Sequence, residues 1–190
     1  MTRIVAGMAG GRRLAVPPKG TRPTSERVRE ALFSAVEAAM DLDGARVLDL
    51  YAGSGALGLE ALSRGAAAAT FVESDRSAIS VLEKNIAAVG RPGAEVRRGS
   101  VRSVLATTPP APYDLVLADP PYRIDPREVD AVLAALAGWT APGALIILER
   151  AHRSAPPGWP EPLRPMKVRR YGDTELHFAR MGDRDHGDTS

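Results

Sequence analysis

Asp49-Leu-Tyr-Ala-Gly53-Ser-Gly55-Ala-Leu-Gly58 is the densest group of chemistry-bearing residues in this 190-residue chain. A β-prone run ends in G-x-G-x-x-G and then enters a stretch of helical period. Glycines there let the backbone turn tightly and approach a ligand, and the free N–H groups of a helix start favour an anion. Glu73 ends the next apolar run, 20 residues after Gly53, where a carboxylate can accept from both ribose hydroxyls of a nucleoside. The glycine pattern by itself suits a nicotinamide dinucleotide equally well. Asp49 separates the two readings. It stands four residues before the first glycine, where its charge opposes a pyrophosphate and suits an ammonium or sulfonium group, so a zwitterionic amino-acid tail fits better.

Asp119-Pro120-Pro121-Tyr122 follows the fourth β-prone run and is expected to open beside the glycine loop. A carboxylate and a proline-fixed carbonyl can accept both hydrogens of an exocyclic amine, and proline offers no competing N–H. Tyr122 supplies a flat face for stacking a base, worth roughly 1–3 kcal/mol. Taken alone, the tetrad also suits an ordinary proline-rich turn after a strand; beside the glycine loop the chemical reading prevails.

The elements that must position these residues follow from periodicity. Residues 46–50, 68–73, 94–98, 114–118 and 143–149 are short runs rich in Val, Leu and Ile and read as strands. Helical period occupies 56–63, 76–89 and 126–137, the last with Asp125 as cap, Pro126 in the first turn and Glu128 three residues after the cap. Alternation of this kind with nearly all-apolar strands predicts an α/β fold, a mostly parallel twisted sheet covered on both faces. Upstream, residues 3–14 predict a hairpin and 24–40 an amphipathic helix. Downstream, the five prolines of 155–165 predict a non-helical connection, and 166–171 with 174–180 an antiparallel hairpin at the sheet edge. The division expected is a basic extension over 1–23, a catalytic domain over 24–181 and a frayed tail over 182–190.

Composition excludes several classes. There is no cysteine, so no disulfide scaffold or thiolate-bound metal, and the three histidines, His152, His177 and His186, are too scattered to predict a metal site. No signal-peptide core or membrane span is visible, which makes a cytoplasmic protein the expectation, and no segment suggests a dimer seam, so a monomer is expected. Net charge is only +2, yet residues 1–29 carry seven bases against Glu26 alone, while the remainder has 18 bases against 22 acids. Localised positive charge of this kind suits phosphate contacts, and equally a solvated basic arm.

Asp-x-x-x-Gly-x-Gly after the first strand, with an acid after the second, resembles the class I S-adenosylmethionine-dependent methyltransferases, whose Rossmann-like fold is then expected here. The resemblance implies that Asp49, Tyr51, Gly53, Gly55 and Glu73 border S-adenosylmethionine, with Asp119 at the reacting edge. Many members carry an acid near the adenine amino group where this chain has Ser100, so Ser100 enters the expected cofactor set as a departure from the pattern. D-P-P-aromatic tetrads resemble those of methyltransferases acting on adenine N6, guanine N2 or a glutamine amide, which implies catalytic roles for Asp119, Pro120 and Tyr122.

The amino-terminal residues Arg3-Ile-Val-Ala-Gly7, Gly11-Arg-Arg-Leu14 and Thr21-Arg-Pro-Thr-Ser-Glu-Arg-Val-Arg-Glu-Ala-Leu-Phe33, together with D-L-Y-A-G-S-G-A-L-G and A-D-P-P-Y, resemble the bacterial 16S ribosomal RNA guanine-N2 methyltransferase family, type D, over about residues 3–180. That resemblance implies methylation of one guanine, position 966, in the small ribosomal subunit (30S) or its precursor. A loop guanine leaves its stack more cheaply than a paired one. Arg3, Arg12, Arg13, Arg22 and Arg27 are expected to bind RNA phosphates or to order the arm, with Arg22 and Arg29 able to pair instead with acids such as Glu26 and Glu30. An adenine-N6 enzyme and a non-catalytic RNA-binding assembly module are the alternatives.

Overall fold

The computed structural model describes residues 1–18 and 24–183. Strand β1 (Thr2–Arg3) pairs with β2 (Arg13–Leu14) in a two-residue antiparallel ladder, and helix α1 (Glu26–Ala39) follows. Then come β3 (Arg46–Leu50), α2 (Ala56–Ser63), β4 (Ala68–Glu73), α3 (Arg76–Val89), β5 (Ala94–Arg98), α4 (Val101–Leu105), β6 (Tyr113–Ala118), α5 (Pro126–Ala135), β7 (Thr140–Ala151), β8 (Leu163–Tyr171) and β9 (Thr174–Met181). The seven-stranded sheet has the order β5-β4-β3-β6-β7-β9-β8. Its first five strands are parallel, and β9 runs antiparallel between β7 and β8. This is the expected mostly parallel sheet with an antiparallel carboxyl-terminal hairpin. Among the described residues no helix is long and apolar enough to cross a membrane.

Alternation along the strands sorts the core into two layers. Val47, Phe71, Leu117 and Ile147 face α1, α2 and α3, whereas Leu48, Val72, Val116 and Ile146 face α4 and α5. Side-chain caps begin α1, α3 and α5: Ser25 accepts from Val28 N–H, Asp75 from Ala78 N–H and, as the sequence predicts, Asp125 from Arg127 N–H. The chain runs from β3 to β4 on one side and meets β6 on the other. Strand order therefore reverses at the carboxyl ends of β3 and β6, where an open α/β sheet leaves a crevice.

The structure departs from the sequence reading chiefly as follows, apart from shifts of one or two residues at the ends of β6 and α5. Helix α1 is two residues shorter at its start than 24–40, because Ser25 caps it. Helix α4 is an additional five-residue element. Strand β7 begins at Thr140 rather than 143, its early residues joining β6 through a register shift. Strand β8 begins at Leu163, within the stretch read as a connection, and carries Pro165 next to a bulge. β8 is an edge strand, where a missing N–H need not cost a ladder bond.

The amino-terminal arm is docked on the domain. Ile4, Ala9 and Leu14 are buried in the same layer as α1 and α2. Glu60 of α2 accepts from Val5 N–H at 2.8 Å and Ala6 N–H at 3.1 Å, and the Ser63 hydroxyl donates to the Ala6 carbonyl at 2.6 Å.

Candidate active site

The glycine loop is held in shape by the acids at its two sides. Glu73 accepts the Gly53 N–H at 2.8 Å through Oε1, and the N–H groups of Ser74 and Asp75 at 2.9 Å through Oε2. Asp49, only 1% exposed, accepts the Gly58 N–H at 3.0 Å through Oδ2. Gly58 has to be glycine, since a Cβ there would meet the Phe71 ring at 2.4 Å and the Asp49 carboxylate at 3.1 Å. Gly55 caps α2 with φ +84°, a left-handed conformation that ordinary side chains rarely adopt. Tyr51 takes φ 55°, unusual for a non-glycine residue, as the chain leaves β3.

A cleft of about 900 Å³ opens at the rim, lined by Asp49, Tyr51, Gly53, Glu73, Asp119 and Tyr122 among others. Pro120 lines it as well. The structure thus brings the glycine loop, the second-strand acid and the D-P-P-Y tetrad into one cavity. Gly55 shapes the loop without lining the cleft. Ser100 does not line it either: it caps α4, its side chain accepting from Ser103 N–H at 3.1 Å.

The sequence reading missed two residues of this cleft. Glu149, near the end of β7, accepts the Thr24 hydroxyl at 2.9 Å. Arg150, next along the strand and facing the opposite side, donates to the Pro121 carbonyl at 3.2 Å and so pins the tetrad. Acid and base directly after an all-apolar strand, at the rim already holding Asp49 and Asp119, were the available signal.

Electrostatics follow from burial. Desolvation pushes the Asp49 carboxyl up to about 8, against the Gly58 hydrogen bond and with help from the nearby Glu73 charge. Asp119 is raised well above the usual carboxylate range by desolvation, then by the charges of Glu149 and Asp49, with Arg150 and the Thr24 hydroxyl opposing. Glu149 is raised by its own desolvation. The Tyr51 phenol is pushed up to about 12, chiefly by burial, and its hydroxyl is buried with no partner among the described residues.

These features test the fit of S-adenosylmethionine. Asp49 Oδ2 takes the Gly58 N–H and no hydrogen bond to Oδ1 occurs among the described residues, so one carboxyl oxygen on the cleft wall is open for a cation, as the sequence reading requires. The Tyr51 hydroxyl is a buried polar atom lacking a partner among the described residues. Glu73, fixed by three backbone N–H groups, is oriented toward the same cavity. The residues fit a ligand that is cationic near Asp49 and carries hydroxyls near Glu73.

The basic residues of the arm are spread over different tasks. Arg12 donates to the carbonyls of Ala88 and Val89 at 2.7 and 3.1 Å, closing the carboxyl end of α3. Arg3 meets Glu26 at 3.4 Å on the surface. Arg29 pairs with neither Glu26 nor Glu30: it is fully buried and donates to Glu60 at 3.1 Å, as well as to the Arg3 carbonyl. Arg13 and Arg27 are exposed and make no side-chain hydrogen bond among the described residues. Arg22 lies outside the described residues.

Comparison with known proteins places this geometry in company. The family described as Conserved hypothetical protein 95 matches residues 2–180. "Ribosomal RNA small subunit methyltransferase D" of Escherichia coli K12 is 45% identical over 148 residues, covering 77% of this chain and 73% of that protein. The protein of the same name from Haemophilus influenzae is 38% identical over 151 residues, 77% of each chain. The solved structure of Escherichia coli yhhF superposes with a TM-score of 0.84 at 35% identity, covering 95% of this chain and 98% of that one.

Proposed function

The chain belongs to the family of small-subunit ribosomal RNA methyltransferases D, and from that premise we propose that it methylates the exocyclic N2 of one guanine in 16S ribosomal RNA, position 966, using S-adenosylmethionine. The observation that carries this reading is the shared cleft, where Asp119, Pro120 and Tyr122 lie within one cavity with Asp49, Gly53 and Glu73.

S-adenosylmethionine supplies an electrophilic methyl group on a sulfonium. Glu73 accepts from the ribose hydroxyls, and Asp49 faces the cationic amino-acid end. An aromatic amine is a poor nucleophile because its lone pair is delocalised into the ring, so the site has to orient it. Asp119 and the Pro120 carbonyl accept its two N–H bonds, which turns the lone pair toward the methyl donor; alignment of this kind accounts for much of a transfer rate. Tyr122, 67% exposed at the mouth, offers a stacking face to an extruded base. The proton leaving N2 passes to Asp119, whose raised proton affinity suits an acceptor. Arg150 holds the tetrad in place through Pro121. Arg13 and Arg27 contact RNA phosphates, and the substrate is the small subunit or its precursor particle, met by a single copy of the chain.

The test is incubation with labelled S-adenosylmethionine and small-subunit particles from cells lacking this activity, followed by nucleoside analysis. N2-methylguanosine at a single position is the expected product. N6-methyladenosine, or no labelled nucleoside, overturns the proposal.

A further inference from the structure

Strands β6 and β7 run parallel and in register, Leu117 with Ile147 and Ala118 with Leu148. One residue further on, Asp119 stands beside Glu149, on the sheet face that Leu117 and Ile147 share, with neighbouring strands about 4.8 Å apart. Glu149 lines the same cleft as Asp119 and Tyr122 and is 9% exposed. Its Oε2 takes the Thr24 hydroxyl; its Oε1 accepts no hydrogen bond among the described residues. On the wall of the cleft that oxygen can take a donor from a bound molecule, and orienting one amine already has its carboxylate in Asp119. The second carboxyl therefore needs a different partner on the same substrate.

Guanine presents its N1–H directly beside the N2 amine, whereas adenine presents a bare N1 lone pair beside its N6 amine. We propose that Glu149 is a specificity residue whose Oε1 accepts the guanine N1–H while Asp119 and the Pro120 carbonyl hold the N2 amine. A purine with an unprotonated N1 then brings lone pair against lone pair and is rejected. The assignment rests on the guanine reading above and supplies what D-P-P-Y alone lacks, a means of telling the two purines apart. Burial raises the proton affinity of Glu149 in the free protein, and Thr24 opposes the rise; an N1–H donor acts in the same sense as Thr24 and favours the ionised acceptor.

The test uses particles reconstituted from 16S RNA ligated to carry either guanine or 2-aminopurine at the methylated position. Both bases have the C2 amine; only guanine has N1–H. The wild-type enzyme is expected to prefer guanine by about 10- to 100-fold in kcat/KM, the range for a hydrogen bond to a charged group. Glu149→Ala is expected to bring that ratio close to one, and Glu149→Gln, which keeps an amide oxygen, to leave it intermediate, with S-adenosylmethionine affinity unchanged in both. A guanine preference that persists in Glu149→Ala, or an equal loss of rate on both bases, overturns the assignment, since a merely structural role would lower both rates together. Failure of the wild-type enzyme to methylate the guanine particle would instead refute the functional reading from which the proposal starts.

Discussion

The arm brings seven cations against one acid into its first 29 residues, while the rim of the sheet brings Asp49, Asp119 and Glu149 onto one face of three adjacent strands. The fold treats the two concentrations of like charge differently. In the arm it spends cations on architecture: Arg29 is buried against Glu60, Arg12 closes α3, and the exposed Arg13 and Arg27 are left toward solvent. At the rim it withholds compensation. Each of the three carboxyls has one hydrogen-bonded neighbour or an opposing charge, and each stays above its usual proton affinity. Like charges gathered and satisfied build a scaffold, and like charges gathered and left wanting build a site.

The largest effect that would break this contrast is at the rim. Asp119→Ala is expected to lower kcat by about 10²–10⁴-fold while calorimetry shows S-adenosylmethionine still binding; near-normal turnover would remove Asp119 from the chemistry. In the arm, Arg29→Met should cost about 1–3 kcal/mol of stability in urea unfolding, because Glu60 loses its fully buried partner and keeps only Arg64 and the arm N–H groups. An unchanged midpoint would mean that the arm does not depend on the pair.

Asp49 sharpens the comparison through pH. Below about pH 4 its carboxyl is neutral in the folded and unfolded chains alike. Between about pH 4 and 8 the unfolded chain gives up a proton that the folded chain keeps, so this group lowers stability progressively across that window. A cation arriving at Asp49 draws its proton affinity down. Binding of S-adenosylmethionine at about pH 6–7 should therefore release a proton, detected as a buffer-dependent calorimetric enthalpy, and affinity should climb by up to about tenfold per pH unit toward pH 8. Asp49→Asn should abolish both behaviours. The smallest effect is in the exposed arginines. Arg13→Ala with Arg27→Ala should reduce the salt slope of RNA binding by about 0.7 per lost phosphate contact, while Arg12→Ala should act mainly on thermal stability. Equal salt slopes in the two variants would leave the arm without the division of labour described.

Much of the frame was legible because strands and helices announce themselves by period: the bounds 46–50, 56–63, 68–73, 76–89 and 94–98 coincide with the elements found. Helix α4, with five residues, is too short to show a period, and β8 absorbs Pro165 only because it lies at an edge. The motif-borne part of the cleft was visible for the same reason, since Asp49, Glu73 and Asp119 each follow a strand. Glu149 was hidden because one acid after an apolar run looks like the polar end of a core strand, and only the register of β6 against β7 sets it beside Asp119. Arg29 with Glu60, and Ser100 with Ser103, were misread because a charge count or a family pattern carries no information about which side chain lies close enough to pair.

Helix α2 begins at the cofactor loop and ends at the arm, with Glu60 and Ser63 only two and five residues beyond Gly58. A rod of eight residues thus has both ends committed, and its length becomes a fixed dimension of the molecule. One added residue would swing everything after it by about 100° around the axis, turning Glu60 and Ser63 away from Val5 and Ala6. The proline-rich stretch at 155–162 is under no such constraint. Natural variation in chain length is therefore expected to collect there and to spare the span from Gly53 to Ser63.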